Sequence, residues 1–149
     1  DEKLLEAASK ALCWSRAWAG GGAHGTVYSV KPAQVSKTAQ TGEFVGKGSF
    51  IVRGQRQWFK DLDVQIGIGI VAVNGVPLLM GGRPETIATT CQRYAILRPG
   101  LTKKEQLANR IYKNTGLVTD DVLPVLPGAS DILEDYGIFS PPASLAEEE

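Results

Sequence analysis

The chain has 149 residues, 43% of them hydrophobic, enough to bury one core and hardly a second. Sixteen basic and sixteen acidic residues cancel overall, yet they are segregated: eight basic residues stand against one acid between 10 and 60, and eight acids with no Lys or Arg follow from Leu117 onward. Two cysteines and one histidine exclude a Cys/His zinc cluster built by this chain alone and a secreted type of disulfide framework, and no apolar run reaches the roughly 20 residues that span a bilayer.

The opening Asp-Glu-Lys-Leu-Leu-Glu lacks the basic-then-apolar order of a signal peptide, so the expected home is the cytoplasm. A start at Asp1 without Met suggests a fragment or a processed product. Leu4, Leu5, Ala8, Ala11, Leu12, Ser15 and Trp18 recur at intervals of three and four, which predicts an amphipathic helix stopped by Gly20-Gly21-Gly22. Thr26 to Lys31 is rich in β-branched and aromatic residues and precedes Pro32, and Ser49 to Arg53 alternates Phe50 and Val52 with Ser49, Ile51 and Arg53. Both read as strands. Ile66 to Val73 and Val76 to Met80 flank Asn74-Gly75, the strongest two-residue hairpin signal in the chain. Gly67 and Gly69 fall on one face of the first of these strands, where a packed helix or a crossing strand can approach closely.

Glu85 to Gln92 reads as a short helix and Tyr94 to Leu97 as a strand ending at Pro99-Gly100. A second main helix is expected over Lys103 to Asn114, with Thr102 as N-cap, Leu107 and Ile111 on its apolar face and Gly116 as stop. Thr119 or Asp120 would cap a brief turn at Val122 to Val125. From Pro127-Gly128 the apolar periodicity is too weak to predict packing, and a loosely docked or disordered acidic tail is expected from about Ser140. The expected architecture is α+β, a mixed and mainly antiparallel sheet with flanking helices. The expected division is residues 1–116 for the domain and 117–149 for an acidic extension, partly disordered.

No catalytic constellation assembles from these residues. His24 could act as a general base, but a lone loop histidine is more often simply solvated. Cys13 and Cys91 read as small buried hydrophobes, and Asp61 and Asp63, although spaced for one face of a strand, read as solvated carboxylates and not a metal pair. The glycine clusters at 20–25 and 46–48 lack the strand-to-helix order of a phosphate cradle. No enzyme, metal or cofactor is therefore expected.

The basic surface carries more. Lys31, Lys37, Lys47, Arg53, Arg56 and Lys60 lie in or just after residues 28–54, against the single acid Glu43. Ser36 and Thr38 bracket Lys37 with two hydroxyls, and Arg53-Gly-Gln-Arg56-Gln-Trp58 adds guanidiniums, amides and an indole, a mixture suited to a phosphodiester backbone. Trp58 or Tyr28, if exposed, could stack a base of single-stranded or looped RNA. The alternative is that Trp58 and Phe59 cap the core and the charges are an ordinary solvated face.

Trp14-Ser-Arg-Ala-Trp18, Tyr28-Ser-Val-Lys-Pro-Ala-Gln-Val-Ser-Lys-Thr-Ala39, Thr41-Gly-Glu43 and Gly48-Ser-Phe-Ile-Val-Arg-Gly54 together resemble the second half of NFACT-R, the RNA-binding domain of NFACT proteins. Met80-Gly-Gly and Pro99-Gly100 before a Lys-rich helix are similar to archaeal members. The resemblance implies a cytoplasmic role in ribosome-associated quality control, with the full-length factor on a stalled large ribosomal subunit together with tRNA, supporting template-free extension of the trapped nascent chain. It implies RNA contact, to tRNA or large-subunit rRNA, by the segments around Ser36, Lys37 and Thr38 and around Arg53, and no membrane partner. The family's NFACT-N domain, coiled coil and first half of NFACT-R are not recognisable in this sequence. The competing expectation is a non-catalytic protein-interaction module whose apolar face around Val71 to Leu79 meets the missing half-domain, a partner chain or a second copy. Opposite charges further suggest that the acidic tail folds back on the basic face.

Overall fold

The computed structural model describes residues 2–36 and 51–141. The expected first helix forms as α1 (Glu2–Cys13) and a separate turn, α2 (Arg16–Ala19). Ser15 divides them: its hydroxyl accepts from the Ala17 amide as N-cap of α2 and donates back to the Leu12 carbonyl. Trp18 is thereby turned into the core, its indole N–H donating to the Ala129 carbonyl at 2.8 Å.

Two short antiparallel ribbons follow. β1 (His24–Ser29) pairs with β4 (Gln57–Asp63), and β2 (Val35–Ser36) with β3 (Ile51–Val52). Of the predicted strand at Ser49 to Arg53, the first two residues lie outside the described residues. β4 extends what sequence suggested only through the spacing of Asp61 and Asp63. Its register with β1 shifts between Gly25 and Val27, where Asp61 adopts a positive φ of 55°, the signature of a bulge.

The hairpin forms as read: β5 (Ile66–Val73) and β6 (Val76–Gly82) join through Asn74-Gly75, both at positive φ. With β7 (Tyr94–Thr102) and β8 (Ser130–Tyr136) they make a four-stranded antiparallel sheet in the order β6-β5-β7-β8. A helix, α3 (Pro84–Thr90), covers the glycine face of β5. A Cβ on Gly67 would lie 2.7 Å from Ile87, and one on Gly69 would lie 2.5 Å from Cys91, so side-chain-free positions are what allow the close approach.

The opposite face holds the core. Ile66, Ile68, Ala95 and Leu97 from the sheet meet Leu12, Cys13 and Trp18 from α1 and α2, and Leu107, Ala108 and Ile111 from α4 (Lys104–Thr115). α4 stops at Gly116, which takes φ 80°, as the sequence predicts. Its N-cap is Lys103, not Thr102, and α5 (Thr119–Val122) starts from Val118 with no side-chain cap, so neither predicted capping hydroxyl is used.

Two expectations fail toward the C-terminus. β7 does not end at Pro99-Gly100 but runs through them to Thr102, because an irregular register opposite Ser130 absorbs both residues. The segment after Pro127-Gly128 does pack: it supplies edge strand β8, and Ile138 and Phe139 are buried. Hydrogen bonds take the place of apolar periodicity there. Asn114 Nδ2 donates to the carbonyls of Gly137, Ile138 and Ser140, Arg93 donates to Gly137, and Asp135 accepts from the amides of Ile138 and Phe139 and from the Ser140 hydroxyl. Burial works against the Asp135 carboxylate, but these donors outweigh it and hold the group below the usual range.

Candidate nucleic-acid interface

The β1–β4 ribbon has two faces. Gly25, Val27, Phe59 and Leu62 turn inward toward α1, and a Cβ on Gly25 would overlap Leu12. His24, Tyr28, Trp58 and Lys60 turn outward and are exposed. Tyr28 and Trp58 are direct cross-strand partners, with ring centroids 5.2 Å apart and planes tilted 60°. They are 44% and 53% exposed, so Trp58 does not cap the core; Phe59 takes the inward position.

Arg56 completes the cluster, its guanidinium carbon 4.9 Å from the centre of the Tyr28 ring. The result is an open platform of two aromatic rings and a cation on a strand pair. Such a surface offers π-faces and a positive charge, which is the chemistry that holds an unpaired base and its phosphate.

Arg53 is half-buried in the neighbouring turn, where its amide donates to the Gln34 carbonyl at 2.8 Å. Gln34 is the organiser of this corner, and nothing in the sequence marked it. Its side-chain oxygen accepts from the Lys31 amide, while its side-chain nitrogen donates to the carbonyls of Arg53 and Gln55. One amide thus ties the exposed Lys31 to the Arg53 turn, beside Gly54 at φ 80°. On the inward side a cleft of about 300 Å³ is lined by Ser29, Lys31, Gln34, Gln55 and Gln57, polar groups that sequence reading did not assemble.

Lys37, Thr38 and Lys47 lie outside the described residues. Ser36 is placed by its backbone in β2, opposite Ile51. Of the nine expected contact residues, the structure therefore brings Tyr28, Arg56 and Trp58 into one cluster and sets Lys31 and Arg53 together at the adjoining turn.

The catalytic alternative gains one contact and lacks the rest. His24 Nδ1 and Asp63 Oδ1 are 3.1 Å apart, with side chains 61% and 63% exposed, so the pair stands open to solvent. Cys13 is buried and its thiol approaches the carbonyls of Asp63 and Gln65; burial, more than the opposing effect of the Gln65 contact, pushes it up to about 11. A thiol held in that state is no nucleophile at neutral pH. Among the described residues no group of three His, Cys, Asp or Glu side chains could hold a metal, and no helix is long and apolar enough to cross a membrane.

The NFACT protein RNA binding domain matches residues 1–54, which contain α1, α2, β1 and the Gln34 corner. An archaeal Rqc2 homolog, aRqcH of Methanocaldococcus jannaschii, is 32% identical over 139 residues, 90% of this chain and 21% of its own length. The ribosome quality control complex subunit NEMF homolog of Drosophila melanogaster is 38% identical over 46% of this chain and 7% of its own. Human NEMF, also named as a ribosome quality control complex subunit, is 37% identical over the same share of this chain and 6% of its own. The chain thus spans about a fifth of the archaeal relative and far less of the animal ones. No solved structure matches. The motif order along residues 14–54, the domain match over that stretch and the 139-residue likeness to an archaeal relative agree: the chain belongs to the NFACT family.

Proposed function

We propose that this chain is the RNA-binding portion of a ribosome-associated quality-control factor, working in the cytoplasm on the large ribosomal subunit and tRNA at stalled nascent chains. The observation that carries the reading is the open Tyr28–Trp58–Arg56 cluster, placed on and beside the segment that matches an RNA-binding domain. Tyr28 and Trp58 stand half-exposed side by side, and covering either would gain roughly 1.5–3 kcal/mol. A ligand with flat faces removes them from water.

In this reading Trp58 and Tyr28 stack bases, Arg56, Arg53, Lys31, Lys37 and Lys47 meet phosphates, and Ser36 and Thr38 position the backbone. Their part is binding, with no chemistry of their own. The RNA-binding surface lies within residues 1–116, and residues 117–149 are its acidic extension, which packs β8 onto the same sheet. The names of the archaeal and animal relatives support the ribosomal setting.

Titration of a fluorescent single-stranded RNA tests the stacking role. Trp58→Ala is expected to weaken binding by about five- to a hundredfold, the equivalent of roughly 1–3 kcal/mol for one stacked base, while Trp58→Phe retains most of the affinity. Equal affinity for all three proteins would remove the aromatic platform from the binding surface.

A further inference from the structure

A second surface, unrelated to the basic ribbon, stands at the opposite chemical extreme. The hairpin from Ile66 to Gly82 contains no charged residue in 17 positions, and its far end is open to solvent: Val73, Val76 and Leu78 are 49%, 55% and 41% exposed. Among the described residues β6 is also the outer strand of the sheet, with β5 as its one neighbour.

The turn fixes which backbone groups of that strand are used. Asn74 and Gly75 at φ 52° and 79° make a two-residue turn, so Val73 and Val76 form the hydrogen-bonded pair that closes it. Pairing alternates from there, and Leu79, opposite Ile70, turns its N–H and C=O away from β5 toward the edge. On the sheet face, Trp14 and Val125 form a stopper at Gly81, where a Cβ would lie 2.9 Å from the Trp14 ring and 3.2 Å from Val125. Between the turn and that stopper, Pro77, Leu78 and Leu79 form one wall of a groove of about 300 Å³. Leu117, Val122 and Pro124 form the other, and Asp120 and Asp121 are the charged side chains lining it among the described residues.

We propose that this groove binds a short extended peptide segment of a partner protein, which adds as a strand to β6 and sets a Lys or Arg against Asp120 and Asp121. Along the groove the edge offers the Leu79 N–H and C=O and the Pro77 carbonyl to an added strand, the apolar walls accept alternate side chains, and the carboxylates select a cationic residue. Charge decides against the other occupants. RNA would bring phosphates to two aspartates, and a second copy paired edge to edge would bring two more aspartates to them.

The 149-residue chain, immobilised, is panned with a displayed heptapeptide library, and the most enriched peptide is synthesised for titration. Enriched sequences should alternate apolar residues with at least one Lys or Arg. Asp120→Asn with Asp121→Asn should weaken the peptide about tenfold, and methylating its central backbone nitrogen should weaken it by a similar factor without altering the protein. Enrichment of peptides lacking cations, full affinity of the methylated peptide, full affinity of the asparagine variant, or no enrichment would each overturn the proposal. So would concentration-dependent dimerisation abolished by Leu78→Lys, which would assign the groove to a second copy.

Discussion

Cys13 carries a measurable pH signature. Its thiol is buried within the core, and desolvation, moderated by the contact with the Gln65 carbonyl and reinforced by the Asp63 charge, raises its pKa from 9.0 to about 11. The neutral thiol is the folded form, so its contribution is complete below pH 9 and is lost as pH rises from there toward 11, at about 1.4 kcal/mol per pH unit. Thermal unfolding of the parent chain should therefore lose more stability between pH 8.5 and 10.5 than Cys13→Ala does, and parallel curves would count against it. The burial of Cys13 was legible, since it continues the apolar spacing of α1. Gln34 was not: each of its partners is a backbone group fixed by folding, and an amide side chain gives no periodic signal.

At the scale of elements, the hairpin and α3 depend on one another through glycine. Gly69→Ala places a methyl where Cys91 sits 2.5 Å away, so α3 must lift or Cys91 must rotate. The expected cost is about 1–3 kcal/mol in denaturant unfolding, with Gly75→Ala acting by strain alone because no atom lies within 4 Å of its Cβ. Loss of less than a few tenths of a kcal/mol at Gly69 would mean the contact is looser than described. Asn74-Gly75 and Gly67-Gly69 announced this arrangement because turn chemistry and close packing both require particular residues. β8 announced nothing. The segment that follows it is folded locally by Asp135 and tied down from a distance by Asn114, and short polar segments of this kind resemble tails until their partners are known. Truncation after Gly128 would therefore remove a sheet strand and the buried side chains of Ser130, Ile138 and Phe139.

The molecule as a whole separates its chemistries. Tyr28 and Trp58 stand on the β1–β4 ribbon with Arg56, Lys31 and Arg53 beyond one end and Asp61 and Asp63 at the other, the uncharged hairpin extends from the sheet, and the acids of α5 and β8 lie in the last part of the chain. Charge asymmetry along the sequence made the basic half visible, whereas the pairing of Tyr28 with Trp58, 30 residues apart, required the strand register. In the proposed function Lys37, Arg53 and Arg56 meet RNA phosphates. Its most direct test is the slope of log affinity for single-stranded RNA against log salt, measured for the parent chain and for a variant with Lys37, Arg53 and Arg56 changed to Gln. Each lost phosphate contact should reduce the slope by about 0.7–0.9, so the triple variant is expected to be flatter by roughly 2–3. An unchanged slope would contradict the account and place the RNA elsewhere on the protein.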